Sequence, residues 1–366
     1  MKFIAEKSQI VDALQNAAAV AERRQTIPIL ANLRIKVAAG LVEVTATDLE
    51  IQIQATTEVV SIAEEGETTV SARKMSELCR SLPDKEDLEF CLSNGKLTVS
   101  AKGFHADFAT ISSDDFPELD ISEEQSSLNI SAEKLKRILS KTSFSMASQD
   151  VRYYLNGLFL EISQEGLKGV ATDGHRLALS SANLEGQNGV LSQILPRKAV
   201  LELAKLLPQT EELVELKVGA SYLSVKSGNL KFSTKLIDGK YPDYEKVFPK
   251  GDSESLLMDK EKLQLALSRA SVLSNEKYRG VRFNLSKNSL KLTANNPEQE
   301  SAEEVLEVDY SGSDLEIGFN IGYLSDVLGS LETDGVELLF YGEDSSCVIK
   351  EPSSDSEVYV IMPMRL

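Results

Sequence analysis

Val44-Thr45-Ala46-Thr47-Asp48, Val170-Ala171-Thr172-Asp173 and Leu292-Thr293-Ala294-Asn295-Asn296 are three versions of one phrase, a strand end running into a turn-forming Asp or Asn. Asp48, Asp173 and Asn296 stand 125 and 123 residues apart. A fixed period of this kind is the sequence sign of a repeated structural unit. The neighbours of each phrase repeat as well. Upstream lies a capped amphipathic stretch beginning near Ser8, Ser131 and Asp259. Downstream, after an extended region, comes a second helical stretch at 71–82, 196–206 and 320–331, with starts 125 and 124 residues apart. Chance is a poor explanation for two sets of markers with one period.

Each unit therefore reads helix, strands, helix, strands. Ile10, Leu14, Ala17, Ala18 and Ala21 share a helix face in the first unit. Leu135, Ile138, Leu139 and Thr142 do so in the second, and Leu263, Ala266, Leu267 and Ala270 in the third. Alternating runs such as Phe159-Leu160-Glu161-Ile162 are separated by Ala39-Gly40, Asn94-Gly95, Ser227-Gly228 and Asp238-Gly239. Hairpin spacing this short excludes parallel crossovers and implies antiparallel sheets. The fold class expected is α+β, with three repeated domains at 1–122, 129–247 and 248–366.

The chain has 366 residues, 42% hydrophobic, which is enough for several cores and excludes a disordered or collagen-like chain. No apolar run approaches the roughly 20 residues of a bilayer span. Glu6 and Lys7 follow the start at once, which argues against a leader and for a cytoplasmic protein. Three widely spaced cysteines with no CxxC are expected to be reduced, non-metal thiols.

The net charge of −18 argues against nucleic acid only if it is evenly spread. It is not: the six helical stretches together carry +7 and everything else −25. Lys134, Arg137 and Lys141 follow helical spacing beside the apolar stripe. Arg73, Lys74 and Arg80, and Arg197, Lys198 and Lys205, repeat the pattern. One such helix is an ordinary solvated face. Recurrence within an acidic chain suggests a surface that holds a polyanion on one side and repels it elsewhere. The third repeat is the exception, since 320–331 carries −1.

No HExxH, GxSxG, P-loop or GxGxxG can be found. Thr172-Asp173-Gly174-His175-Arg176 is the one cluster that invites acid–base chemistry. Its counterparts, Asp48-Leu49-Glu50 and Asn296-Pro297-Glu298, have no histidine, so Asp173 reads as a turn cap and catalysis is not expected. No metal or cofactor is expected either.

Several segments resemble one family over the whole chain. They are Thr26–Leu30 with Thr47–Glu50, Gln149–Gly157, Ala171–Leu177, Ser274–Lys277, Ala294–Gln299 and Met362–Leu366. The family is the bacterial sliding clamp, the beta subunit of DNA polymerase III. The resemblance implies DNA-clamp domains with sheets outside and two helices per domain inside, closed as a ring-shaped, head-to-tail homodimer. It implies a non-catalytic processivity factor that slides on duplex DNA without reading sequence, since its contacts go to phosphates. Partners implied are double-stranded DNA, the polymerase III catalytic subunit, the clamp loader, and other polymerases and repair proteins that carry short linear motifs.

By the same resemblance, DNA contacts fall at Arg24, Arg73, Gln149, Tyr153 and Tyr154. Charge pattern alone adds Lys134, Arg137, Lys141, Lys198 and Lys205. A hydrophobic peptide groove is implied at Leu155, Thr172, Gly174, His175, Arg176, Leu177, Pro242, Val247, Asn320, Tyr323, Ser346, Val360, Met362, Pro363 and Met364. Methionines suit a surface that must adapt to several partners. The dimer seam is implied at Lys74, Lys96 and Phe108 on one side and Val272, Leu273, Glu298, Glu300, Glu303 and Glu304 on the other. Two rival readings remain: an enzyme using Asp173 and His175, and a monomeric repeat protein that binds only proteins.

Overall fold

The computed structural model describes residues 1–21, 27–119, 124–184 and 191–365. The chain forms two compact units, Met1–Lys136 with Leu201–Leu236, and Arg137–Val200 with Ile237–Leu366. Every strand pairing among the described residues is antiparallel.

The first unit carries one 13-stranded sheet. It runs from Glu124–Ser131 through Leu213–Gly219, Tyr222–Ser227, Leu230–Lys235, Ile51–Glu58, Leu41–Thr47, Asn32–Ala38 and Gly66–Ser71. It continues through Phe104–Ile111, Lys96–Ala101, Asp87–Ser93 and Lys2–Glu6 to Ser61–Glu64. Phe104–Ile111 meets Gly66–Ser71 only at Thr69↔Ile111 and Val70↔Thr110, which leaves the rest of that edge open. The second unit carries an eight-stranded sheet, from Leu191–Pro196 to Glu254–Asp259, and a four-stranded one, ordered Ser301–Glu307, Ser289–Asn295, Gly280–Ser286, Leu315–Asn320.

Six α-helices are formed by the described residues: α1 Lys7–Ala18, α2 Ala72–Ser81, α3 Ala132–Thr142, α4 Arg197–Leu206, α5 Lys260–Val272 and α6 Ile321–Ser330. Asp259 accepts a hydrogen bond from Lys262 N and caps α5, and Ser131 Oγ accepts one from Lys134 N at the start of α3. Ser8 does not cap α1: the helix opens at Lys7 behind Glu6, and the Ser8 hydroxyl donates to Glu6 Oε1 instead. Leu263, Ala266, Leu267 and Ala270 are buried on α5 as expected, and Ile10, Leu14 and Ala17 on α1, where Ala18 is half-buried and Ala21 lies beyond the helix end. Each large aliphatic side chain so placed contributes roughly 1.5–3 kcal/mol.

Cys79 and Cys347 are buried. Burial pushes the Cys79 thiol up to about 12 and raises Cys347 further, which keeps both as inert thiols. No helix among the described residues is long and apolar enough to cross a membrane.

Candidate functional site: a groove built on a repeated turn

The founding phrase is a side-chain-capped turn. Asp48 Oδ1 accepts hydrogen bonds from Glu50 N (2.9 Å) and Ile51 N (2.7 Å). Asp173 Oδ1 accepts from His175 N (2.9 Å) and Arg176 N (3.1 Å). Thr47 and Thr172 act alike, each hydroxyl donating to the carbonyl four residues on. Both turns need a left-handed residue after the Asp, Leu49 at φ 77° and Gly174 at φ 90°. Asp173 Oδ1 is thus used as a cap. Among the described residues no group of three or more His, Cys, Asp or Glu is placed to hold a metal.

In the second unit the turn leads into Arg176–Ala182, which pairs with Glu357–Ile361. Below it lies an apolar cluster of Leu155, Val170, Leu177, Ile194, Tyr241, Tyr244, Val348 and Val360, with Phe159 stacked on Tyr241 at 4.8 Å. Leu155, Thr172, Leu177 and Val360 are buried and form the floor. Gly174, His175, Pro242, Val247 and Met362 are exposed around it, Val247 at 36% and Met362 at 45%. Met362 N donates to His175 O (2.9 Å) and Met364 N to Gly318 O (2.9 Å), which ties the C-terminal segment to this rim. Pro363, Met364 and Ser346 are half-buried.

Arg176 braces the wall. Its Nε donates to Asp173 Oδ2 (3.0 Å), Nη1 to Asp326 Oδ2 (2.5 Å) and Nη2 to Phe144 O (2.6 Å). Its guanidinium lies over the Tyr323 ring at 4.5 Å. Burial raises the Tyr323 phenol, and Asp173 adds to the shift. Asn320 caps α6 by accepting from Tyr323 N, and its amide donates to Tyr278 O. A planar, fully engaged fork of this kind holds Tyr323 and the turn in one pose. Lys246, at the rim beside Val247, is paired with Asp243 at 2.9 Å.

Gln149, Tyr153 and Tyr154 follow α3. Gln149 is exposed at φ 59°, Tyr153 is 58% exposed, and the two tyrosine rings meet edge to face at 5.8 Å. Arg152 between them bonds Asp150 and the Asp173 carbonyl. Its hydrogen bonds hold the Asp150 carboxyl at about 2.

The charge pattern needs correction at two positions. Arg137 is spent on Glu357, with Nε to Oε1 at 2.6 Å and Nη2 to Oε2 at 3.1 Å, and on Glu332 at 2.9 Å. Lys141 is 7% exposed and pairs with Glu332 at 2.9 Å while donating to the Ser330 carbonyl. Both charges are thus engaged within the fold rather than presented to a polyanion. Burial raises the Glu357 carboxyl, but the bonds from Arg137 and Ser356 outweigh it and leave it below its usual range. The Lys141 bond holds Glu332 low as well.

Lys134 is exposed, Arg73 is exposed and paired with Glu77 (2.8 Å), and Lys205 pairs with Glu202 (2.9 Å). Lys198, on α4, is half-buried. Arg24 lies outside the described residues. Of the seam residues, Lys74 and Lys96 are exposed, Phe108 is half-buried on the open edge, Val272 is 77% exposed and Leu273 half-buried. Glu303 and Glu304 lie on the edge strand Ser301–Glu307, paired with Lys291 and Arg269, and exposed Glu298 and Glu300 precede it. Sequence reasoning missed Asp326, Phe144, Tyr241 and Tyr244, which reach the groove from remote segments.

An antiparallel α+β chain built on a repeated Asp-capped turn, with an apolar floor under one of those turns, defines a class of repeat scaffold. The families described as DNA polymerase III beta subunit, N-terminal, central and C-terminal domain match residues 1–120, 129–243 and 245–365. The chain is 43% identical to the beta sliding clamp of Pseudomonas putida and 41% identical to that of Escherichia coli K12, with both chains covered completely in each case. It matches the crystal structure of a DnaN sliding clamp from Pseudomonas aeruginosa bound to griselimycin with a TM-score of 0.98, 42% identity and full coverage of both chains. The chain belongs to the beta sliding clamp family, the beta subunits of DNA polymerase III.

Proposed function

We propose that the chain is the processivity clamp of replicative DNA synthesis, a ring-forming homodimer that encircles duplex DNA and tethers polymerases. The observation that carries this reading is the run of three beta-subunit domain matches across the whole chain. The protein works without chemistry of its own, in the bacterial cytoplasm. Arg24, Arg73, Lys134, Gln149, Tyr153, Tyr154, Lys198 and Lys205 touch the DNA, as phosphate contacts and stacking rings that carry no sequence code. The groove over Leu155, Leu177 and Val360 receives short apolar motifs of the catalytic subunit, the clamp loader and repair proteins, with Met362 as an adaptable wall and Val247 as a fixed one.

Ring closure pairs the open edge of Phe104–Ile111 in one protomer with the edge Ser301–Glu307 in its partner. Unpaired edges recruit strands, and exposed Val272 and Val305 offer apolar area beside the seam. Lys74 and Lys96 face the acidic run at Glu298–Glu304 across it. The test is topological. Loaded on a nicked circle, the protein is expected to stay bound at salt that strips a phosphate-only binder, and to fall off when the circle is linearised. Release before linearisation, with the dimer intact by light scattering, contradicts the reading.

A further inference from the structure

The start of the second helix in each repeat is locked to the strand that follows the first helix. Asn32 pairs with Ser71, Gly157 with Pro196, and Gly280 with Asn320. That register makes Ala31, Asn156 and Arg279 equivalent, and likewise Arg73, Lys198 and Gly322. One backbone bond repeats too: Arg197 N donates to Asn156 O (3.0 Å), and Ile321 N to Arg279 O (2.8 Å).

In the first repeat a cleft of about 320 Å³ is lined by Ala31, Arg73, Ser76 and Glu77. In the third a cleft of about 680 Å³ is lined by the equivalent Arg279, Gly322, Ser325 and Asp326. The cation and the small residue have changed sides. A Cβ added at Gly322 would lie 3.8 Å from Arg279 Nη1, so the guanidinium occupies the space above the glycine. The Arg279 backbone is held at φ 48° by its N–H to Asn275 O (2.7 Å) and by the Ile321 bond. Its side chain is exposed and makes no hydrogen bond or ion pair among the described residues. Of the two carboxylates lining the cleft, Asp326 is engaged by Arg176, and Glu276 does not reach Arg279. This resolves a gap in the charge pattern, because α6 itself has no basic residue in its last turn and no Lys or Arg at all.

We propose that Arg279 is a DNA-backbone contact of the third repeat, supplying from the strand-entry loop the phosphate-binding cation that α2 supplies through Arg73. The proposal rests on the DNA-encircling reading above. The experiment measures binding of a short fluorescein-labelled linear duplex to the full-length dimer across a salt series, for the native protein, Arg73→Ala, Arg279→Ala and Arg279→Ala/Gly322→Arg. The last variant moves the cation back to the helix. Gly322 is not at positive φ, and the new Cβ asks only a small shift of the Asn320 amide, 3.1 Å away.

Arg279→Ala is expected to lower the salt slope by about 1 and the affinity at 0.1 M salt by about eightfold, the factor that this slope implies from 1 M. Gly322→Arg is expected to restore both, with dimer mass and Tm unchanged throughout. Native binding and slope in Arg279→Ala, beside a weakened Arg73→Ala, overturn the proposal alone. A loss that the relocated cation does not restore, or a loss with native slope, overturns it too. If neither single variant changes binding, the DNA-contact reading itself falls.

Discussion

Two junctions between repeats use the same strand pairing with different chemistry. In the first unit Ile51 faces Thr234 and Ala55 faces Leu230. In the second, Arg176 faces Ile361 and Ser180 faces Glu357. Around the first turn, Ile29, Leu30 and Phe116 close on Leu49, and the Arg34 guanidinium covers Phe116 at 5.3 Å. Around the second, Leu155 stands where Leu30 does and Tyr241 where Phe116 does, but Gly174 replaces Leu49. The first junction is a sealed knot; the second keeps an apolar floor without the side chain that would lid it. In place of Leu49, the second turn is braced by Arg176, which bonds Asp173 and lies over the Tyr323 ring. One scaffold thus serves as a joint in one place and as the floor of the proposed binding groove in another.

The largest effect is expected where the second junction differs most. Arg137→Ala strands a carboxylate that is 2% exposed, and should cost about 3–5 kcal/mol in denaturant unfolding. The pH dependence changes with it. In the native protein Glu357 lies below its unfolded value of about 4.5, so its contribution is present above that pH and lost as pH falls through the folded value. In Arg137→Ala burial, the largest influence, is opposed only by the Ser356 hydroxyl and the Lys141 charge, so the folded value moves up and less stability should be lost on acidification than in the native protein. Urea midpoints across pH distinguish the two slopes.

Next come the turn caps. Asp48→Ala removes two backbone bonds and should cost about 1 kcal/mol. Asp173→Ala also frees Arg176 Nε and should cost about 2 kcal/mol. Equal losses would mean that Arg176 is held well enough by Asp326 and Phe144. Smallest is Leu49→Gly, expected within about 1 kcal/mol of native, since relief at φ 77° offsets lost apolar contact and added chain freedom. A large loss there would show that the lid on the first knot is its main support.

Much of this was legible in sequence. The period, the Asp turns and the buried faces of α3 and α5 follow from local pattern, because turn caps and helix faces are decided within a few residues. The charge on α3 was not. Arg137 and Lys141 share a helix face with exposed Lys134, but their partners Glu332 and Glu357 lie about 200 residues away in sequence. Helical spacing states which side chains share a face, not what that face meets. The groove was named through family resemblance; Tyr241 and Tyr244 in the cluster beneath its floor, and its brace at Asp326, come from segments with no local signal. The Leu49/Gly174 contrast stood in the repeat alignment all along, but its meaning needed the packing around each turn.

The most direct test is calorimetric binding of a polymerase-derived clamp-motif peptide to the native dimer and to Gly174→Leu, which gives the second turn the lid of the first. A Cβ at Gly174 comes within 3.0 Å of the Arg152 guanidinium, the movable end of a flexible side chain, so the fold should survive. The account predicts an unchanged dimer mass, a modest fall in Tm and affinity lowered at least about tenfold, or 1.4 kcal/mol. Native affinity in a folded Gly174→Leu dimer would contradict it.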